Sequence, residues 1–138
     1  MPATKEELNK LTYKIIGSAI DVHKNLGPGL LESVYHKCLA HEFTIAGISY
    51  SSELIVPINY KGLEVSADLR CDFVVENLIV LELKAVEAMA AIFETKLMTY
   101  MRLLQKPKGI LINFNSTNLF KEGQWTYVNE YFRNLPPK

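Results

Sequence analysis

Leu8, Leu11, Ile15, Ala19, Val22 and Leu26 recur at spacings of three and four, which predicts an amphipathic helix over about residues 5–25. Thr4 and Glu7 form the Thr-x-x-Glu pattern of a capping box at its start. Gly27-Pro28-Gly29 stops it, because Gly is favoured just past a helix end and Pro cannot continue the hydrogen-bond ladder. A second helix is expected over about residues 30–46, with Leu31, Val34, Cys38 and Ala46 or their neighbours facing inward and Gly47 as terminator. From Glu53 the pattern turns to strand: Leu54 to Tyr60, a Lys61-Gly62 turn, then a strand reaching Val75. Pro57 lacks an N–H to donate and assigns the first of these to a sheet edge.

The chain then runs Arg70-Cys71-Asp72-Phe73-Val74-Val75-Glu76-Asn77-Leu78-Ile79-Val80-Leu81-Glu82-Leu83-Lys84, two apolar strands with their polar residues at one end. Strand side chains alternate, so Phe73, Val75, Ile79, Leu81 and Leu83 share an apolar face, with Cys71 beside Phe73. Asp72, Val74, Val80, Glu82 and Lys84 share the other, and Arg70 joins it. If Glu76-Asn77-Leu78 is a three-residue turn, paired residue numbers sum to 154 and Asp72 faces Glu82, with Cβ atoms roughly 4.5 to 5.5 Å apart. A two-residue turn would send the carboxylates to opposite faces. Met89, Phe93, Leu97, Tyr100 and Leu104 mark a third helix, ended by Pro107 and Gly109. Gly109 to Phe114 is nearly all apolar, which fits a strand covered on both faces and parallel to its predecessor. Trp125, Tyr127 and Val128 alternate as a last short strand. The fold class is α/β with a mixed sheet, and one domain over 1–138 is the simplest organisation.

Asp72, Glu82 and Lys84 have a chemical logic. Two hard oxygen ligands suit Mg²⁺ or Mn²⁺ better than zinc, and a bound ion of that kind polarises a phosphate oxygen and acidifies water. A lysine two residues from one ligand lies on the same side and is placed to orient water or neutralise charge developing on phosphorus. Phosphodiester hydrolysis uses all three. The competing reading is a solvent-facing Glu82–Lys84 ion pair with Asp72 opposite by accident, although like charges directly across a sheet are destabilising.

Composition narrows the partners. Fifteen Lys and Arg balance fifteen Asp and Glu at a pI of about 6.8, so no global positive field draws the chain to nucleic acid. Such binding must use a local patch, for which Lys61, Lys96, Arg102 and the Lys106 and Lys108 pair about Pro107 are candidates. The N-terminus lacks an apolar signal core, and no apolar run approaches the ~20 residues of a membrane helix, so a cytoplasmic protein without membrane contact is expected. Cys38 and Cys71 lack metal or redox spacing and read as reduced, buried thiols.

Asp72 followed by Glu82-Leu83-Lys84 resembles the signature of the PD-(D/E)XK nuclease-like superfamily. The segment Val22 to Tyr35 looks like the defining stretch of the GxxExxY proteins of that superfamily, read as Gly29, Glu32 and Tyr35. The resemblance runs from the first helix through Ile112-Asn113-Phe114. It implies a restriction-endonuclease-like core, Mg²⁺ or Mn²⁺ as cofactor, and DNA or RNA as partner. By the family pattern Asp72 and Glu82 are metal ligands, Lys84 is the catalytic lysine, and Glu32 is an acidic residue reaching the site from a helix. Arg70, Lys96 and Tyr100 are the substrate-binding candidates. Lys96 stands where related members tend to carry a glutamine one turn before the tyrosine. It either contacts a phosphate in place of the amide or marks a lineage that kept the fold as a binding or assembly module.

Other residues carry plainer expectations. Glu32 in a first helical turn is also favoured by the macrodipole, by about 0.3 to 1 kcal/mol. Tyr35 either packs beneath or hydrogen-bonds to Glu32, or is a core tyrosine with a satisfied hydroxyl. His36 is expected in a surface or capping role, and His23 near the first helix's C-terminus. Trp125, Tyr127, Tyr131 and Phe132 are expected to close the core or a homo-oligomer interface rather than to stack on bases.

Overall fold

The first helix, α1 (Lys5–Leu26), begins where Thr4 Oγ1 accepts the Glu7 N–H at 3.1 Å. Its Leu8, Leu11, Ile15, Ala19 and Val22 stripe is buried, while Leu26 at the end is exposed. The structure is a computed structural model that describes residues 3–65 and 69–138. α2 (Glu32–Ala46) follows and closes on Gly47, whose φ of 71° is the left-handed value glycine takes without penalty. Its inward face is Tyr35, Leu39 and Phe43, with Leu31 and Val34 in solvent, so the stripe lies one residue on from the expected one. These three have bulkier rings and side chains to bury, and the sheet selects them.

The strands are β1 (Tyr50–Ile55), β2 (Ile58–Tyr60), β3 (Leu63–Val65), β4 (Arg70–Val75), β5 (Ile79–Lys84), β6 (Lys108–Asn113) and β7 (Gln124–Val128). The main sheet has the order β1-β4-β5-β6-β7, and β2 and β3 form a separate ribbon. β1 is an edge strand and begins at Tyr50, but the single strand expected over Leu54–Tyr60 is split between β1 and β2, with Pro57, which has no N–H to donate, in neither. The strand expected between Gly62 and Val75 is two pieces, with residues 66–68 outside the described range. β5 and β6 run parallel, joined through α3 (Ala91–Leu103), and the other pairs are antiparallel. Two short helices, α4 (Leu119–Glu122) and α5 (Glu130–Arg133), flank β7.

The result is a mixed five-stranded sheet with helices on both faces, the architecture of a restriction-endonuclease-like core. On one face Phe73, Val75, Ile79, Leu81, Leu83, Ile110 and Ile112 pack against α1 and α2. On the other, Val74, Val80 and Leu111 pack against Leu97, Tyr100 and Met101 of α3. β6 is buried at every position, as a strand covered on both sides must be. Trp125 and Tyr127 pack on the α3 side and Phe132 on the α1 side, while Tyr131 stays exposed.

At Gly109 α3 packs closely on the sheet. A Cβ there would lie 2.6 Å from Met101 Sδ and 3.0 Å from Leu97 Cδ1, both fully buried. Gly109→Ala is therefore expected to cost about 1 to 3 kcal/mol in chemical denaturation through overpacking.

Two expectations fail here. Cys71 packs on the α3 face with Val74, opposite to Phe73. The β1–β4 ladder pairs Ser52 with Phe73 and Leu54 with Cys71, but Glu53 between them has φ 52°. Nothing else in the ladder explains why Cys71 departs from the period-two alternation of β4. The thiol is buried, and its pKa is pushed up to about 12, first by burial and then by Glu82 and Asp72, so it is inert. Lys108 is buried rather than part of a surface patch: its Nζ donates to Asn9 Oδ1 at 3.0 Å, and burial lowers its pKa. Lys106 donates to Asn77 Oδ1 at 2.8 Å. Both lie at the end of the sheet away from Lys84, since Lys108 pairs with Ile79 and Asn113 with Lys84.

Candidate active site

The β4–β5 hairpin turns through Glu76 and Asn77, both at left-handed φ, and Leu78 N–H donates to the Val75 carbonyl at 2.9 Å. Glu76 braces this turn by accepting from Ser49 N and Oγ. Pairing follows as Phe73–Leu81, Val74–Val80 and Val75–Ile79, the register with sum 154. At the next step the ladder gives way to side chains. Asp72 N–H donates to Glu82 Oε2 at 3.1 Å, and Leu83 N–H donates to Asp72 Oδ2 at 2.7 Å. The two carboxyls thus bridge the strands and lie within hydrogen-bonding reach of each other.

Glu82 is 5% exposed. Its pKa is pushed up to about 9, chiefly by burial and then by the hydrogen bond to and the charge of Asp72, with Lys96 pulling the other way. The solvent-facing Glu82–Lys84 ion pair is excluded by that burial. Among the described residues the only ion pair is Lys10–Glu6, at 3.6 Å on α1. Glu32 comes to the same place from the start of α2. The residue is exposed at the rim, yet desolvation of its carboxyl and the charge of Asp72 raise its pKa, while Lys84, His36 and Lys96 lower it.

Both lysines rest on rings. Lys84 Nζ lies 4.5 Å from the centre of Phe93, and Lys96 Nζ lies 5.4 Å from that of Tyr100. Tyr100 is itself buried, so it serves as a floor for Lys96 and presents almost no surface to a substrate. Arg70 is exposed on β4 opposite Ile55 and has no acidic partner among the described residues.

The Tyr35 hydroxyl is bonded to the backbone and not to Glu32. Its hydroxyl donates to the Gly27 carbonyl at 2.6 Å and accepts from Leu30 N at 3.1 Å, and its ring stacks on Phe114 at 4.5 Å. It staples the Gly27–Leu30 loop that delivers Glu32. Tyr35→Phe leaves that carbonyl without its partner, so urea unfolding is expected to show a loss of about 1 to 3 kcal/mol.

Three residues shape the site without having been singled out for it. His36 is half-buried, stacked on Phe73 at 4.2 Å with Nε2 2.7 Å from Ser52 Oγ, so it is no surface or capping residue. Its i+4 spacing from Glu32 was the available signal. Asn113, buried at the end of β6, exchanges hydrogen bonds with Val86 N and O at 3.1 and 3.0 Å and accepts from Asn115 N. It holds the chain that leaves Lys84 for α3. Phe93 was legible only as part of a core stripe. His23 binds the Ser116 carbonyl at 2.8 Å, tying the end of α1 to the loop after β6.

A family model described as the PD-(D/E)XK nuclease superfamily matches residues 9–125. The chain belongs to the PD-(D/E)XK nuclease superfamily. No curated protein and no solved structure matches it. Nucleases of the PD-(D/E)XK superfamily generally use divalent metals and act on nucleic acid. Among the described residues, no three Asp, Glu, His or Cys side chains converge into a metal cage. What the site offers is a pair of carboxyls within hydrogen-bonding reach of each other, with the Glu32 carboxyl nearby and, among the described residues, no cation paired with any of them. Hard oxygen donors without a cationic partner fit a divalent ion that keeps several waters. No helix among the described residues is long and apolar enough to cross a membrane.

Proposed function

We propose that this protein is a Mg²⁺- or Mn²⁺-dependent nuclease of the GxxExxY type that hydrolyses phosphodiester bonds in DNA or RNA. The observation that carries the reading is the Asp72–Glu82 pair, two carboxyls crossed over a strand pair at one end of the sheet with no cation paired to them among the described residues. Asp72 and Glu82 would hold the ion, which when bound supplies charge to a phosphate oxygen and lowers the pKa of a water. Lys84, held over Phe93, orients the attacking water and offsets negative charge growing on the phosphate. Lys96, held over Tyr100 and electrostatically close to Glu32 and Glu82, takes a neighbouring phosphate in the place of an amide. Glu32 adds negative charge at the rim and tunes the pair. Arg70, exposed on the same strand as Asp72, meets the substrate farther along its backbone.

The test is incubation of the purified protein with single-stranded, duplex and branched DNA and RNA in Mn²⁺ or Mg²⁺, beside Lys84→Ala. Cleavage that falls roughly a hundredfold or more in the variant is expected, the scale on which loss of one charge-stabilising group acts. No Mn²⁺ binding by calorimetry and no cleavage of any substrate would leave the binding-module reading instead.

A further inference from the structure

The exposed apolar side chains of this protein are not scattered. Leu30 and Leu31 lie in the loop and cap that deliver Glu32, Ile92 in the first turn of α3, and Phe120 in α4 just beyond β6. Tyr60 and Leu63 lie on the β2–β3 ribbon. Each is between 41 and 74% exposed. All belong to the end of the sheet that carries Asp72, Glu82 and Lys84. Asn113 and His23 tie the β5, β6 and α1 ends together there, and the β1–β4 ladder continues through Val56 N–H to Leu69 carbonyl into the ribbon. Leu26 at the end of α1 and Ile55 opposite Arg70 lie near the same end, and the remaining large exposed apolar groups among the described residues are Tyr13, Val34, Ile45 and Tyr131.

The ribbon itself is one-sided. Tyr60 pairs with Leu63 and Ile58 with Val65, which puts all four on one face, while Asn59 and Glu64 share the other. Beside its turn, Lys61 Nζ lies 5.4 Å from the Tyr60 ring centre. An exposed aromatic with a cation against it matches the chemistry of an unpaired base and its phosphate.

We infer that the substrate is single-stranded nucleic acid, or an unpaired stretch of it, whose base faces lie on this apolar rim while the phosphates enter the carboxylate site. The inference rests on the nucleic-acid reading of that site. A duplex presents phosphates outward and hides its base faces, so an apolar rim gains nothing from it. The formal charge of zero leaves little backbone attraction to bind a duplex by. A single strand exposes a π-face at every base, and stacking compensates for the missing charge.

The test is anisotropy with a labelled single strand about 16 nucleotides long and its duplex, in Ca²⁺, on wild type and on Tyr60→Ala/Phe120→Ala. Both positions are exposed, so the fold tolerates them. The single strand is expected to bind about tenfold or more tighter than the duplex, and the double variant to lose about tenfold on the single strand alone. Equal affinities, or a double variant that binds like wild type, would overturn the inference. So would sedimentation showing a dimer that Leu31→Ser dissociates, which would assign the rim to a second copy. Single-strand preference without cleavage in Mn²⁺ supports the inference while removing the nuclease reading. Cleavage without that preference does the reverse.

Discussion

Glu82→Gln is expected to stabilise the metal-free protein by about 1 to 3 kcal/mol at neutral pH while abolishing Mn²⁺ binding and cleavage. Glu82 is almost wholly buried, and its neighbour Asp72 repels its charge. The fold must therefore either hold two carboxylates together or keep a proton it would lose in water. Glutamine removes that cost and still offers an oxygen to the Asp72 N–H. Asp72→Asn likewise retains an acceptor for Leu83 N–H and loses the ion. In thermal unfolding, saturating Mn²⁺ raises the wild-type midpoint, by about 2.7 kcal/mol of stability at a hundred times the dissociation constant. Neither variant shifts. A Glu82→Gln protein that cleaves like wild type, or that still gains stability from Mn²⁺, would refute the assignment of this pair as ligands.

Phe73→Ala carries the largest expected loss of stability, about 3 to 5 kcal/mol. The ring is fully buried, edge-on to Phe43 at 5.6 Å and Tyr50 at 5.5 Å and stacked under His36 at 4.2 Å. Three elements, α2, β1 and β4, meet on it. A loss of that size is a large fraction of the 5 to 15 kcal/mol that holds a typical domain together. Because Phe73 adjoins Asp72 and supports His36, its removal also loosens the α2 side of the site. Guanidinium denaturation without metal measures the first effect, and a change below about 1 kcal/mol would mean the ring is not wedged as described.

Much of this architecture was legible because its signals are local. A capping threonine, glycine stops and apolar spacing define the helices within one or two residues. Pro57 marks a break just past the edge strand β1, and an unalternating run at Gly109 to Phe114 marks a strand with both faces covered. The count of residues in one turn sets Asp72 against Glu82. The misreadings occur where a neighbour distant in the chain decides. Both candidate stripes of α2 have helical spacing, and contact with Phe73 and Phe114 selects Tyr35, Leu39 and Phe43. Cys71 packs with Val56 and Leu97, which lie 15 and 26 residues away along the chain, instead of beside Phe73. Lys108 looks like any surface lysine until α1 covers it with Asn9.

By itself, then, the sequence determined the elements, their order and the hairpin register, since these follow from period, turn length and the missing N–H of proline. The tertiary structure decided what surrounds the two carboxyls. It buried Glu82, brought Glu32 from α2 and Lys96 from α3 within electrostatic reach, set Lys84 on Phe93, and gathered the apolar rim around them. Charge interactions and burial depend on distance in space, and no spacing along the chain encodes the distance between helices on opposite faces of a sheet.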